Sequence, residues 1–168
     1  MQGPTSHFYF SQRLRLHYVD WGNETAPPLL MVHGGRDHCR NWDWVAEKLA
    51  RDWHIIAPDL RGHGDSEWAI GGGYDMAAYI YDVAQIIHQK GMAPVTIIAH
   101  SLGAGIALNY CGAFAETVAK VIAIEGLGPS HVDEVPAPVV ALGGLAALLL
   151  LAGLGTSLAR VRTRRLSR

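Results

Sequence analysis

Cysteine and charge are both scarce in this 168-residue chain. The two cysteines, Cys39 and Cys111, stand far apart and in no metal or redox spacing, which excludes a disulfide framework and gives no sign of a zinc site. Charged residues make up 17% of the chain and the formal net charge is −1, so no global field draws in nucleic acid, and none is expected as a partner. The segment from Met1 to Ser11 lacks the basic start and continuous apolar stretch of an export signal. A reducing, cytoplasmic location is therefore the expectation. Nine histidines occur, but without an H-E-x-x-H motif or a Cys/His cluster, and Gly103-Ala104-Gly105 lacks the third glycine of a dinucleotide fingerprint. Neither a metal nor another cofactor is expected.

What the chain does have is apolar surface to bury. At 49% hydrophobic residues it is long enough for one domain with a real core. Two strand-like runs open it: His7 to Phe10, then Leu14, Leu16 and Tyr18 alternating with Arg15, His17 and Val19. Pro28 to Val32 is a continuous apolar run, as a strand covered on both faces requires. Trp42, Val45, Ala46 and Leu49 recur at helical spacing, and Trp53 to Ala57 returns to a strand that Pro58 stops. After a glycine-rich loop over Leu60 to Gly73, Asp75 caps a predicted helix whose apolar stripe is Met76, Ile80, Val83 and Ile87 and which Gly91 ends. Val95 to Ala99 is the next buried strand, Leu102 to Ala119 the next helix, and Lys120 to Ile124 the strand after it. Strand and helix alternate, so the expected class is α/β: a mostly parallel sheet with helices on both faces.

Three segments of this frame carry chemistry. Ala99-His100-Ser101-Leu102-Gly103 lies where a buried strand turns directly into a helix. A nucleophile at so sharp a turn projects its Oγ above the sheet edge, and the crowding admits only small residues two positions to either side, here Ala99 and Gly103. The turn also sets the Leu102 N–H at a helix N-terminus, where it can stabilise an oxyanion. Earlier, His33-Gly34-Gly35-Arg36-Asp37 follows the central strand, and Asp59-Leu60-Arg61-Gly62-His63-Gly64-Asp65-Ser66 follows the next one. Alone, the first could be a serine starting a helix, the second a glycine turn and the third a polar turn.

Taken in order, the three segments resemble the serine branch of the α/β-hydrolase family, over about Phe8 to Pro129. The pentapeptide departs from the usual G-x-S-x-G only in Ala99, and the third segment matches D-x-R-G-x-G-x-S. The resemblance implies Ser101 as nucleophile toward an ester or related acyl bond of a small-molecule substrate, with Gly35 and Leu102 forming the oxyanion hole. It also places His33, Gly34, Arg36 and His100 around the substrate, His33 through structural hydrogen bonds. A serine at this turn argues against branches that use aspartate to open epoxides or displace halide. The family supplies an acid and then a general-base histidine late in the chain. Here the only histidine after Ser101 is His131, with Asp133 nearby, and nothing in the sequence fixes it over Ser101. Glu125, closing the strand after the nucleophile helix, is either the acid or a solvated strand-end carboxylate.

The organisation changes near residue 130, giving an expected division into a hydrolase-like portion over 1–130 and an atypical tail over 131–168. Val135 to Ala159 is uncharged, and Arg160, Arg162, Arg164, Arg165 and Arg168 follow. Three accounts fit. The run is long enough to span a bilayer, which makes membrane association the alternative location. It could instead be a helix covering an open sheet edge. The third account, preferred for the abruptness of the switch, is a change of frame or truncation that leaves the fold without its last strands and the catalytic set incomplete. A silent fragment or binding module is thus the alternative function, and no feature fixes an oligomeric state.

Overall fold

The computed structural model describes residues 3–125 and 139–142. Strands β1 (Thr5–Ser11) and β2 (Leu14–Asp20) form an antiparallel hairpin. Gln12 and Arg13 make its two-residue loop, and both have positive φ, 48° and 68°. That is the mirror-image turn whose twist matches the strands. Then come β3 (Pro28–Val32), a 3₁₀ turn (Cys39–Trp42) running into helix α1 (Asp43–Leu49), and β4 (His54–Pro58). Helix α2 (Met76–Gln89), β5 (Val95–His100), helix α3 (Leu102–Ala113), β6 (Val118–Ile124) and β7 (Val139–Leu142) follow.

The sheet order is β1-β2-β4-β3-β5-β6-β7. Pairing is antiparallel at β1/β2 and β2/β4 and parallel from β4 onward. Both faces are covered, as expected, and the residues of the central strands divide by parity, as do those of β6 from Val121 on. Leu30, Val32, Ile56, Ile97, Ala99, Val121 and Ala123 face α2 and α3. Leu29, Met31, Ile55, Ala57, Ile98 and Ile124 face α1 and Trp42. This is why the central strands read as unbroken apolar runs: each successive side chain enters one core or the other.

Four details differ from the sequence expectation. In β2, His17 and Val19 are buried along with Leu16 and Tyr18, because both faces are packed: Leu16 and Tyr18 enter one core, Val19 the other, and His17 lies against Asp59 and Cys39. In α2 the buried stripe is Tyr79, Asp82, Val83, Ile86 and Ile87, whereas Met76 is exposed. Helix α3 stops at Ala113; Phe114 leaves helical geometry (φ −134°) and stacks on Tyr110, and Val118 and Ala119 belong to β6. Finally, β7 lies beyond residue 130 and pairs in parallel with β6, Val121 opposite Val139 through Ile124 opposite Leu142. The sheet therefore crosses the expected boundary, and at these four positions a strand, not a helix, covers the edge of β6. Among the described residues no helix is long and apolar enough to cross a membrane; the rest of Val135 to Ala159 lies outside them.

Candidate active site

The chain leaves β3 toward β4 on one side and returns past β3 to β5 on the other, so β3 and β5 are neighbours whose following loops diverge. In open α/β sheets such a switch point forms a crevice at the carboxyl ends of the strands. The loop after β3 and the turn after β5 meet there.

Ser101 sits between β5 and α3 with φ 50° and ψ −115°. A non-glycine residue in this region carries about 1–3 kcal/mol of strain, which the surrounding structure has to over-determine. Here the Ser101 N–H donates to the Ile124 carbonyl of β6 (2.9 Å) and the Ser101 carbonyl accepts from Gly105 N–H (3.1 Å). Close packing does the rest. A Cβ on Gly103 would be driven into the carbonyl oxygens of Val32 and His33, 2.6 Å from the former, so only glycine lets α3 start against the end of β3. Ser101 itself remains exposed. Arg36 (φ 58°) and Glu125 (φ 51°) are also in the left-handed region. Three strained residues thus follow the ends of the adjacent strands β3, β5 and β6, a clustering typical of functional sites.

The loop after β3 lies against the serine turn. A Cβ on Gly34 would come within 2.9 Å of His100 Nδ1 and 3.3 Å of Ser101 Cβ, and one on Gly35 would be 3.8 Å from the Leu102 side chain. Gly35 and Leu102 are therefore neighbours. Leu102 begins α3, where backbone N–H groups have no intrahelical partner. Among the described residues neither its N–H nor that of Gly35 donates to a backbone acceptor outside the regular elements.

His33 is fully buried, and both its ring nitrogens are engaged. Nε2 accepts from the Leu60 N–H (2.9 Å), which leaves the proton on Nδ1 to be donated to the Gly34 carbonyl (2.7 Å). Burial is the main influence on it and pushes its pKa down, so the ring is held neutral in one tautomer. These are structural hydrogen bonds: His33 positions the Gly34 carbonyl and the loop after β4. His100 is partly exposed, and its Nε2 lies 3.5 Å from a Glu125 carboxylate oxygen. Glu125 thus meets the residue preceding Ser101. His131 lies outside the described residues. Among the tryptophans, Trp42 is core, whereas Trp44 and Trp68 are exposed.

The segment after β4 is the frame around this crevice. Asp59 is buried and accepts from Cys39 N–H (2.6 Å), Asp65 N–H (3.0 Å) and His17 Nδ1 (2.7 Å). Burial alone would raise its pKa, but these bonds outweigh burial and hold the carboxyl below the usual range. Ser66 Oγ donates to the Asp59 carbonyl (2.7 Å) and accepts from His17 N–H (2.8 Å). Arg61 makes a two-pronged, buried ion pair with Asp82 of α2 (2.6 and 2.7 Å) and donates to the Gly73 carbonyl (2.5 Å). The role of Asp82 was not read from the sequence.

A family model described as alpha/beta hydrolase fold matches residues 27–158. The chain is 32% identical over 123 residues to lipase LipV of Mycobacterium tuberculosis, covering 71% of this chain and 46% of the lipase. It is 34% identical over 106 residues to a soluble epoxide hydrolase of a Corynebacterium species, covering 63% of this chain and 36% of that enzyme. Among solved structures it is similar to a membrane phospholipase A described as a bacterial virulence factor, with a TM-score of 0.72 and 29% identity over 77% of this chain and 43% of that one. The chain spans less than half the length of each of these relatives.

Proposed function

The chain belongs to the α/β hydrolase fold family, and from that premise we propose that it is a serine hydrolase acting on an ester or related acyl bond of a small-molecule substrate. The observation that carries this reading is Ser101: exposed, backbone-strained and at the head of α3, with Gly35 packed against the side chain of Leu102, the residue after it. In the proposed reaction Ser101 Oγ adds to the acyl carbon as its proton passes to a general base, for which His131 is the candidate. The Leu102 and Gly35 N–H groups hold the oxyanion, and preorganised donors of this kind are worth about 3–4 kcal/mol each. Collapse expels the alcohol or thiol with the proton from the base, and water then releases the acid from Ser101. Relatives include both a lipase and an epoxide hydrolase. Serine rather than aspartate at the turn favours acyl over epoxide chemistry, and the reading has Gly34, next to Ser101, and Arg36 border the substrate.

One contact favours a second reading. The candidate acid Glu125 meets His100, an arrangement that suits a chain of this fold that binds without turnover. Labelling of the purified chain with a fluorophosphonate separates the two. The hydrolase reading expects stoichiometric labelling that Ser101→Ala abolishes and His131→Ala slows by at least about 100-fold. A folded wild-type chain that takes no label would remove Ser101 from the role of nucleophile.

A further inference from the structure

On the α1 side of the sheet, three elements bring together residues that are distant in sequence. His17 comes from β2, Cys39 from the 3₁₀ turn before α1, and Asp59 from the end of β4. All three are buried, and one ligating atom of each lies within 4.8 Å of the other two. A cavity of about 190 Å³ opens beside them, bordered also by Ser6, His38 and Asp65.

We propose that His17 Nδ1, Cys39 Sγ and the Asp59 carboxylate form a three-ligand site for a divalent transition-metal cation that accepts sulfur, zinc or cobalt(II), with the cavity supplying a fourth, water-filled position. The ligand set is the mixed nitrogen, sulfur and oxygen set that such ions bind, and three protein ligands with one open position is a recurrent arrangement. The charges balance: a thiolate, a carboxylate and a neutral imidazole carry two negative charges against the two positive charges of the ion. Tetrahedral bonds of about 2.0 Å to N and O and about 2.3 Å to S put ligand atoms roughly 3.3–3.5 Å apart. His17 Nδ1 lies 2.7 Å from Asp59 Oδ2 and 3.9 Å from Cys39 Sγ, so the first pair opens and the second closes by about half an ångström.

The surroundings are already those of a ligand shell. His17 Nε2 lies 2.5 Å from Ser6 Oγ, which fixes the ring from its far side as metal-bound imidazoles require. Cys39 N–H and Asp65 N–H hold the two Asp59 oxygens in place. Binding takes one net proton off the protein. The Cys39 thiol proton leaves, and the proton shared by His17 Nδ1 and Asp59 moves to Nε2, where Ser6 Oγ accepts it. Burial, followed by the Asp59 charge, pushes the free thiol up, so the ion and not the bare pocket makes the thiolate.

Titrating the chelator-stripped, purified chain with Co²⁺ tests this. The expected result is a thiolate-to-cobalt charge-transfer absorption that saturates at one equivalent, disappears on adding Zn²⁺ and persists in Cys111→Ser. Cys39→Ser should lose the band. Ser6→Ala, at an exposed position that leaves all three ligands and the fold in place, should bind Co²⁺ about tenfold more weakly. A folded wild-type chain that gives no such band, or a band of equal strength in Cys39→Ser, would overturn the proposal. If Cys39→Ser does not fold, the wild-type band together with the Ser6→Ala shift decides.

Discussion

Two glycines at the candidate site differ sharply in what they tolerate. Gly103 backs onto the backbone carbonyl oxygens of Val32, at the end of β3, and of His33 just after it, which cannot give way. Gly35 faces only the Leu102 side chain at ordinary contact distance. Gly103→Ala is therefore expected to destabilise the chain by about 1–3 kcal/mol, as overpacking against backbone does. Gly35→Ala should stay within about 0.5 kcal/mol of wild type. Urea denaturation of the two variants checks the pair, and equal effects would mean that α3 does not start against β3 as described. The sequence pointed to Gly103 because the turn pattern demands a small residue there. It could not distinguish Gly35 from Gly103, since what crowds a glycine lies elsewhere in the chain. For His33 a structural role is legible in the sequence, but its partners, the Gly34 carbonyl and the Leu60 amide, are not.

Between elements, the connection most exposed to disruption is the Arg61–Asp82 pair that ties the loop after β4 to α2. Both side chains are buried, so removing one leaves the other charged and unpaired away from water. Asp82→Ala should cost about 3–5 kcal/mol, whereas replacing both residues by apolar ones of similar volume, Arg61→Met with Asp82→Leu, should recover most of that loss. Thermal melts of the single and double variants test it; a double variant no better than Asp82→Ala would show that the hydrogen bond from Arg61 to Gly73 matters more than the pair. At this scale the sequence was informative about existence and weak about limits. The β5–α3 turn, the cap at Asp75 and the alternation of strands and helices were legible because each is encoded in adjacent residues. The end of α3 was not, because Leu108, Tyr110 and Cys111 continue a helical pattern past which the chain turns only by packing Phe114 on Tyr110. Nor was the α2 stripe placed correctly, since Asp82 reads as a solvent position until Arg61 is brought to it.

For the molecule as a whole, two buried groups shape stability on the acid side. His33, held neutral mainly by burial, takes up a proton at a lower pH when folded than when unfolded. The unfolded state binds more protons there as pH falls below about 6.5, and stability declines with it. Asp59 is shifted the other way from its burial tendency: hydrogen bonds keep the folded carboxylate ionised below the ordinary range, so its contribution is complete above about pH 3.9 and is lost as pH falls through the lower folded value. Urea denaturation from about pH 7 downward should show a decline in two separate windows, with the upper one removed in His33→Gln. A flat profile between about pH 7 and pH 5 would contradict the buried, neutral His33. By itself, the sequence determined the α/β class, the order of strands and helices and the position of Ser101, because period, turn chemistry and a strand-to-helix junction are properties of neighbouring residues. Only the tertiary structure decided which side chains share a space. It gave His33 its two backbone partners, set Glu125 against His100, joined β7 to β6, and gathered His17, Cys39 and Asp59 from three separate elements. Those meetings depend on how a twisted sheet and its crossovers fold residues far apart in the chain onto one another, and no local pattern records them.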